Sequence, residues 1–257
     1  MAVMQEREDS RLIIEMRKTL QLGDYRPEEM RKGLHEYRQL LRARFDSDRH
    51  RQKMGLADFL KTPAGRDWGS EGPLLLVLFG RNEVGVSTVS HSWLSPVAVD
   101  LVNDLLESNS TVAYENCTES STLVGVISRL IFQLLEKSPA VIRRGNDLHD
   151  IESQLSLGGQ DRVIALRKAL LRIINLQNDR VFIVLNRPDI CEEESPAEYI
   201  ETMLSLLKDA KQGLKIMMVQ RSEIWDAEKN RRGIDTQGID QRIFQTVRFD
   251  QCRVHAE

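Results

Sequence analysis

The chain has 257 residues, 41% of them hydrophobic and 29% charged, enough apolar material for one large globular domain with an appendage and too much for a chain disordered throughout. A formal net charge of -3 gives no electrostatic case for nucleic acid or an anionic membrane as the main partner. Cys117, Cys191 and Cys252 are odd in number and far apart, and the five histidines show no metal-ligand spacing, so a reducing, cytoplasmic setting with neither a disulfide framework nor a metal site is expected.

Met1 to Ser10 is polar, and no uncharged apolar run approaches membrane-spanning length, so no membrane role is expected. From Ser10 to Leu22, the spacing of Leu12, Ile13, Met16 and Leu20 predicts a helix with Ser10 as N-cap and Gly23 closing it. A second helix is predicted from Pro27, with Glu28 and Glu29 in its first turn and Met30, Leu34, Tyr37 and Leu41 along one face. Residues 1–70 carry 15 Lys/Arg against 12 Asp/Glu, a mildly basic arm whose charges read as solvated helix faces before they read as a nucleic-acid patch. The stretch KTPAGRDWGSEGP (61–73), dense in Gly, Pro and Ser, reads as a linker. The expected division is therefore a helical arm and linker over 1–70 and a main domain over 71–257.

Beyond Pro73 the pattern changes. LLLVLF (74–79), VFIVL (181–185) and LKIMMV (214–219) are apolar runs of strand length, with TVAYENC (111–117) and QTVRF (245–249) as weaker candidates. Between them lie helical patterns beginning SPVAVDLV, TLVGVISR, DRVIALRK and SPAEYIET. Strands apolar on both faces and separated by helices predict an α/β fold: a three-layer domain with a mostly parallel five-stranded sheet.

GRNEVGVST (80–88) follows the first strand and falls on the phosphate-loop pattern G-x-x-x-x-G-K-[ST] at Gly80, Gly85, Ser87 and Thr88, with Val86 in the lysine position. Such a loop turns a strand into a helix N-terminus whose free N–H groups meet phosphate. The missing lysine removes a charge-assisted contact worth about 1.5–3 kcal/mol, at least roughly tenfold in affinity. Three outcomes stay open: a loop that binds nothing, residual binding of ATP or GTP through backbone N–H groups with Ser87 and Thr88, and slow hydrolysis in a dimer with Arg81 as the replacement cation. The carboxylate that positions Mg²⁺ in such enzymes ends a buried strand. Here VFIVLNRPDIC puts Asn186 there, an amide without charge.

These residues carry a resemblance. The order of segments over roughly residues 70–226 resembles the NACHT-type signal-transduction NTPases of the STAND class, particularly those of fungal vegetative-incompatibility proteins. In that family the magnesium strand ends hhhhD-x-L-D-E-C and a later strand ends in an S-R-P-E-like turn. The resemblance implies that Asn186 replaces the magnesium-coordinating aspartate, Asp189 keeps the second acid, Ile190 replaces the water-activating glutamate and Cys191 matches. Arg221 matches the later arginine, while Gln220 and Ser222 replace its serine and proline. The departures fall on residues that catalysis needs, and the hydrophobic frame is kept.

The expectation is therefore a pseudo-NTPase: no catalytic residues, no metal, no cofactor, and a vestigial or weak nucleotide site at Gly80, Arg81, Gly85, Ser87, Thr88, Asp189 and Arg221. A protein partner is expected, with oligomerisation open. The alternatives are a weak ATP or GTP switch with Mg²⁺ and slow or dimer-dependent hydrolysis, and a nucleic-acid binder working through the basic arm. At individual positions plainer readings compete: Asp189 as turn chemistry after Pro188, Arg221 as a strand-end surface charge, and Ser195-Pro196 as a helix start after the acidic run 192–194. Ser87, His91 and Asp100 suggest a triad only by proximity, and no G-x-S-x-G elbow occurs.

Overall fold

The computed structural model describes residues 2–46, 54–81, 92–138, 141, 153, 160–191, 195–211, 213–224 and 242–249. Two helices, α1 (Ala2–Thr19) and α2 (Pro27–Asp46), open the chain, followed by short α3 (Leu56–Lys61) and α4 (Pro63–Gly69). Strand β1 (Leu74–Gly80), α5 (Ser95–Glu107), β2 (Thr111–Asn116), α6 (Leu123–Lys137), α7 (Gln160–Leu176), β3 (Val181–Asn186), a 3₁₀ turn (Pro188–Ile190), α8 (Pro196–Asp209), β4 (Leu214–Arg221) and β5 (Phe244–Phe249) follow.

The strands form one sheet in the order β2-β3-β4-β1-β5, and every pair is parallel. Period-two alternation divides each strand between two cores. Leu75, Val77 and Phe79 of β1 face α6, α7 and α8, while Leu74, Leu76 and Leu78 face α3, α4 and α5. The fold is thus a three-layer α/β sandwich, and β1 is buried along its whole length because both faces are covered.

The N-terminal helices straddle the sheet. Met16 of α1 and Leu20 just after it join the α6–α8 core, whereas Leu34 and Leu41 of α2 join the α5 core. Each such buried side chain is worth about 1.5–3 kcal/mol. Arg38 Nε adds a 2.8 Å ion pair to Asp100 of α5. Helix α1 begins at Ala2 rather than Ser10, so Ser10 lies inside the helix and not at its cap.

The stretch read as a linker instead holds a tight helical corner. Thr62 Oγ1 caps α4 by accepting from Gly65 N at 3.1 Å, and Pro63 stands at N1. A Cβ on Gly65 would lie 2.2 Å from Phe59 O, so only glycine allows α3 and α4 to approach this closely. Helix α8 starts on a full capping box between Ser195 and Glu198, in agreement with the helix start read at Ser195-Pro196. Residues 192–194 lie outside the described residues.

Candidate functional site

In an open parallel sheet, ligands are held at the carboxyl ends of the strands, in the crevice where successive connections leave to opposite faces. Here β1 leads to α5 on one face and β3 leads to α8 on the other. The register aligns the strand ends at this crevice: Gly80 pairs with Arg221 and Phe249, Asn116 with Asn186, and Asn186 with Val219. Hydrogen bonds from Ser222 N to Gly80 O (3.1 Å), Arg187 N to Val219 O (2.8 Å) and Cys117 N to Asn186 O (2.8 Å) extend the pairing beyond the strands.

The expected site residues divide unevenly. Gly80, Arg81, Asp189 and Arg221 are described and gather at these strand ends, while Gly85, Ser87 and Thr88 lie outside the described residues, as do Val86 and His91. A Cβ on Gly80 would meet Phe249 O at 2.5 Å and Trp93 Nε1 at 3.0 Å, so the glycine is required by packing of β1 against β5 and the start of α5. Arg81 is exposed. Arg221 is not a free surface charge: its side chain is 13% exposed and its Nη2 lies 3.1 Å from Glu223 Oε1.

Asp189 departs furthest from ordinary turn chemistry. Its carboxylate receives Arg187 Nε at 2.9 and 3.2 Å and Arg187 Nη2 at 2.9 Å, and both side chains are 0% exposed. Arg221 N donates a further bond to Asp189 Oδ2 at 3.3 Å. Arg187 holds φ 66° and ψ 44° in the left-handed region, which costs a non-glycine residue about 1–2 kcal/mol. The bidentate pair two residues on offsets that cost and folds the turn back on itself. Arg187 is the residue the sequence reading missed. Its only local signal is its position between a strand end and Pro188.

Four buried polar atoms at these strand ends have no hydrogen-bond partner among the described residues: Arg187 Nη1, Asn186 Oδ1 and both ends of the Gln220 amide. Asn186 Nδ2 reaches Asn116 Oδ1 at 3.3 Å. Cys191, just after the turn, accepts from Tyr199 Oη at 3.2 Å, and its hydrogen bond with Cys117, then burial, raises the Cys117 thiol, so Cys117 is not set up as a nucleophile.

Magnesium needs oxygen ligands that include free carboxylate charge. Asn186 supplies none, and the carboxylate of Asp189 is already committed to Arg187 and Arg221 N, so this donor set does not fit the ion. Among the described residues no group of three His, Cys, Asp or Glu side chains could hold a metal. A cavity of about 490 Å³ lies away from the crevice, between α2, the outer edge of β2 and α6, with Glu28, Arg31, Tyr114 and Glu136 in its walls. Its volume alone assigns it no role in phosphate chemistry.

The family profile described as "Nephrocystin 3, N-terminal" matches residues 56–221, nearly two thirds of the chain. The chain belongs to the nephrocystin 3 N-terminal family. With its parallel sheet and strand-end crevice, this family member carries a P-loop NTPase-like domain. No curated protein matches it significantly.

Solved structures similar to the domain include Drosophila ORC bound to DNA, at 16% identity and TM-score 0.39 over 94% of this chain and 34% of that one. The Aeropyrum pernix ORC2 protein (ADPNP-ADP complexes) matches at 14% and 0.43 over 80% and 50%. Drosophila ORC bound to GC-rich DNA and Cdc6 matches at 14% and 0.41 over 93% and 32%. The chain spans a third to a half of those structures, and at these scores they carry no argument about its ligands. No helix among the described residues is long and apolar enough to cross a membrane.

Proposed function

We propose that this nephrocystin 3 N-terminal domain is a catalytically inactive, NACHT-like pseudo-NTPase that acts as a protein–protein interaction or regulatory module. The observation that carries the reading is the commitment of Asp189. The one acid left at the end of the magnesium strand is closed by Arg187 and Arg221 N, and Asn186 brings no charge in its place. Val86 in the lysine position points the same way from the sequence. Phosphoryl transfer depends almost entirely on positioning and on cationic stabilisation of the leaving charge. A site with neither the lysine nor a free carboxylate to hold the metal lacks both sources of that charge.

NACHT character rests on the segment order and on Asp189, Cys191 and Arg221 in their expected places. A protein partner and a cytoplasmic setting rest on composition and on the family analogy. The second reading, a weak ATP or GTP switch, is favoured by one observation: Arg81 is exposed directly after Gly80, where it is free to meet a phosphate.

The test is phosphate release from Mg·ATP and Mg·GTP by the whole chain at micromolar concentration. No turnover above buffer is expected. Turnover that disappears in Arg81→Ala would replace the proposal with the second reading.

A further inference from the structure

The mismatch between magnesium and the crevice has a further consequence. We propose that the guanidinium of Arg187 is the built-in replacement for the divalent cation, so that the crevice takes phosphate-bearing ligands of the nucleotide class free of metal. This rests on the crevice being a phosphate site that has lost its chemistry, and it adds what that site still binds.

Three observations carry it. First, Arg187 directly follows Asn186 at the end of β3, and its side chain sits on the one acid of the strand end through two nitrogens, as a cation sits on a metal carboxylate. Second, the arrangement is costly to hold for stability alone. A fully buried guanidinium on a left-handed residue, with Nη1 lacking any acceptor among the described residues, is a poorer packing solution than an apolar side chain. Its one unmatched donor calls for an acceptor that the protein does not supply, and an oxyanion is such an acceptor. Third, the Gln220 amide is buried with both ends unpartnered one residue before Arg221, whose N–H bonds Asp189. Two donors without acceptors, Arg187 Nη1 and Gln220 Nε2, thus lie where the strands end, beside two unpartnered amide oxygens, Asn186 Oδ1 and Gln220 Oε1. A fixed cation on Asp189 also repels a second, divalent one.

The ion pair is neutral, so a nucleotide brought without Mg²⁺ meets neutralised acid and the unmatched N–H groups of Arg187 Nη1 and Gln220 Nε2. Mg·nucleotide brings an ion with no carboxylate to receive it. Metal dependence, the usual sign of nucleotide binding by this fold, should therefore be absent or inverted.

The experiment is calorimetry and thermal shift on the whole chain with ATP and ADP up to millimolar concentration, in EDTA and in excess Mg²⁺. The expected result is binding in EDTA with a Kd equal to or lower than that in Mg²⁺, and at least tenfold weaker binding in Arg187→Lys, which keeps charge but loses the fork. Circular dichroism checks that this variant folds. The wild-type comparison decides the matter even if it does not. A tenfold or greater strengthening by Mg²⁺ overturns the proposal. Absence of binding in both buffers also overturns it while leaving the lack of hydrolysis intact, so the two readings fail separately.

Discussion

At the residue scale, several side chains matter for reasons other than catalysis. Gly80 matches a phosphate-loop position, yet the structure gives it a packing role, with Phe249 O and Trp93 Nε1 occupying the space of a Cβ. Gly80→Ala should therefore destabilise the fold by about 1–3 kcal/mol, as overpacking does, which a denaturant melt would show. Unchanged stability would return the glycine to a role in ligand approach. Lys215 is a second case. It is fully buried on β4, with Nζ 2.5 Å from Trp68 O and 3.1 Å from Asp67 O, where it closes the C-terminal end of α4. Burial, then the charge of Arg180, lowers its pKa to about 8. The folded state therefore binds fewer protons than the unfolded one between about pH 8 and the ordinary lysine value near 10.5. The penalty of burying this charge is fully present below pH 8 and is relieved as the pH rises through that window. The stability of the wild type relative to Lys215→Met should accordingly increase from pH 7.5 to pH 10, measured by urea unfolding. A flat or falling difference would contradict the account.

At the scale of elements, most of the sheet was legible. The runs at 74–79, 181–185 and 214–219 are strands because both their faces are covered, and a continuous apolar run is the signature of that environment. Even Lys215, the one charge inside such a run, is accommodated because its buried ammonium donates to the carbonyls of α4. Three features were not legible. The start of α1 lies eight residues before its best capping residue. The corner at 61–73 looks like a linker because Pro63 and Gly65 serve equally as loop residues and as a helix N1 and a close approach. The cover on the open edge of β2 depends on tertiary contact alone. There Gln133 of α6 donates Nε2 to Tyr114 O at 2.9 Å and accepts Tyr114 N at 3.0 Å, imitating one residue of a neighbouring strand. Exposed strand edges invite pairing with other chains. Gln133→Leu should cost about 2 kcal/mol by stranding two backbone groups and promote concentration-dependent association, both visible by melts and by sedimentation. A monomeric, equally stable variant would show that the edge needs no cover.

At the scale of the whole molecule, the described residues form the parallel sheet and flanking helices of a P-loop NTPase-like domain, and the Asp189 carboxylate at the strand ends is taken up by internal contacts. This arrangement was half legible. Val86 and Asn186 stand out in the sequence as uncharged residues, because each occupies a recognisable place in the pattern. Asp189 does not announce its fate, because its engagement depends on the left-handed backbone of Arg187 and on the N–H of Arg221, 32 residues away. A pseudo-NTPase requires that carboxylate to be structural. The most direct measurement is a double-mutant cycle on Arg187→Met and Asp189→Leu by chemical denaturation. Each single change should cost about 3–5 kcal/mol, because it leaves a buried charge unpaired. The double variant should cost much less than their sum, since it removes both charges together. If instead Asp189→Leu leaves stability unchanged and the two effects simply add, the carboxylate is free for another purpose, and the reading of this domain as a pseudo-NTPase loses its foundation.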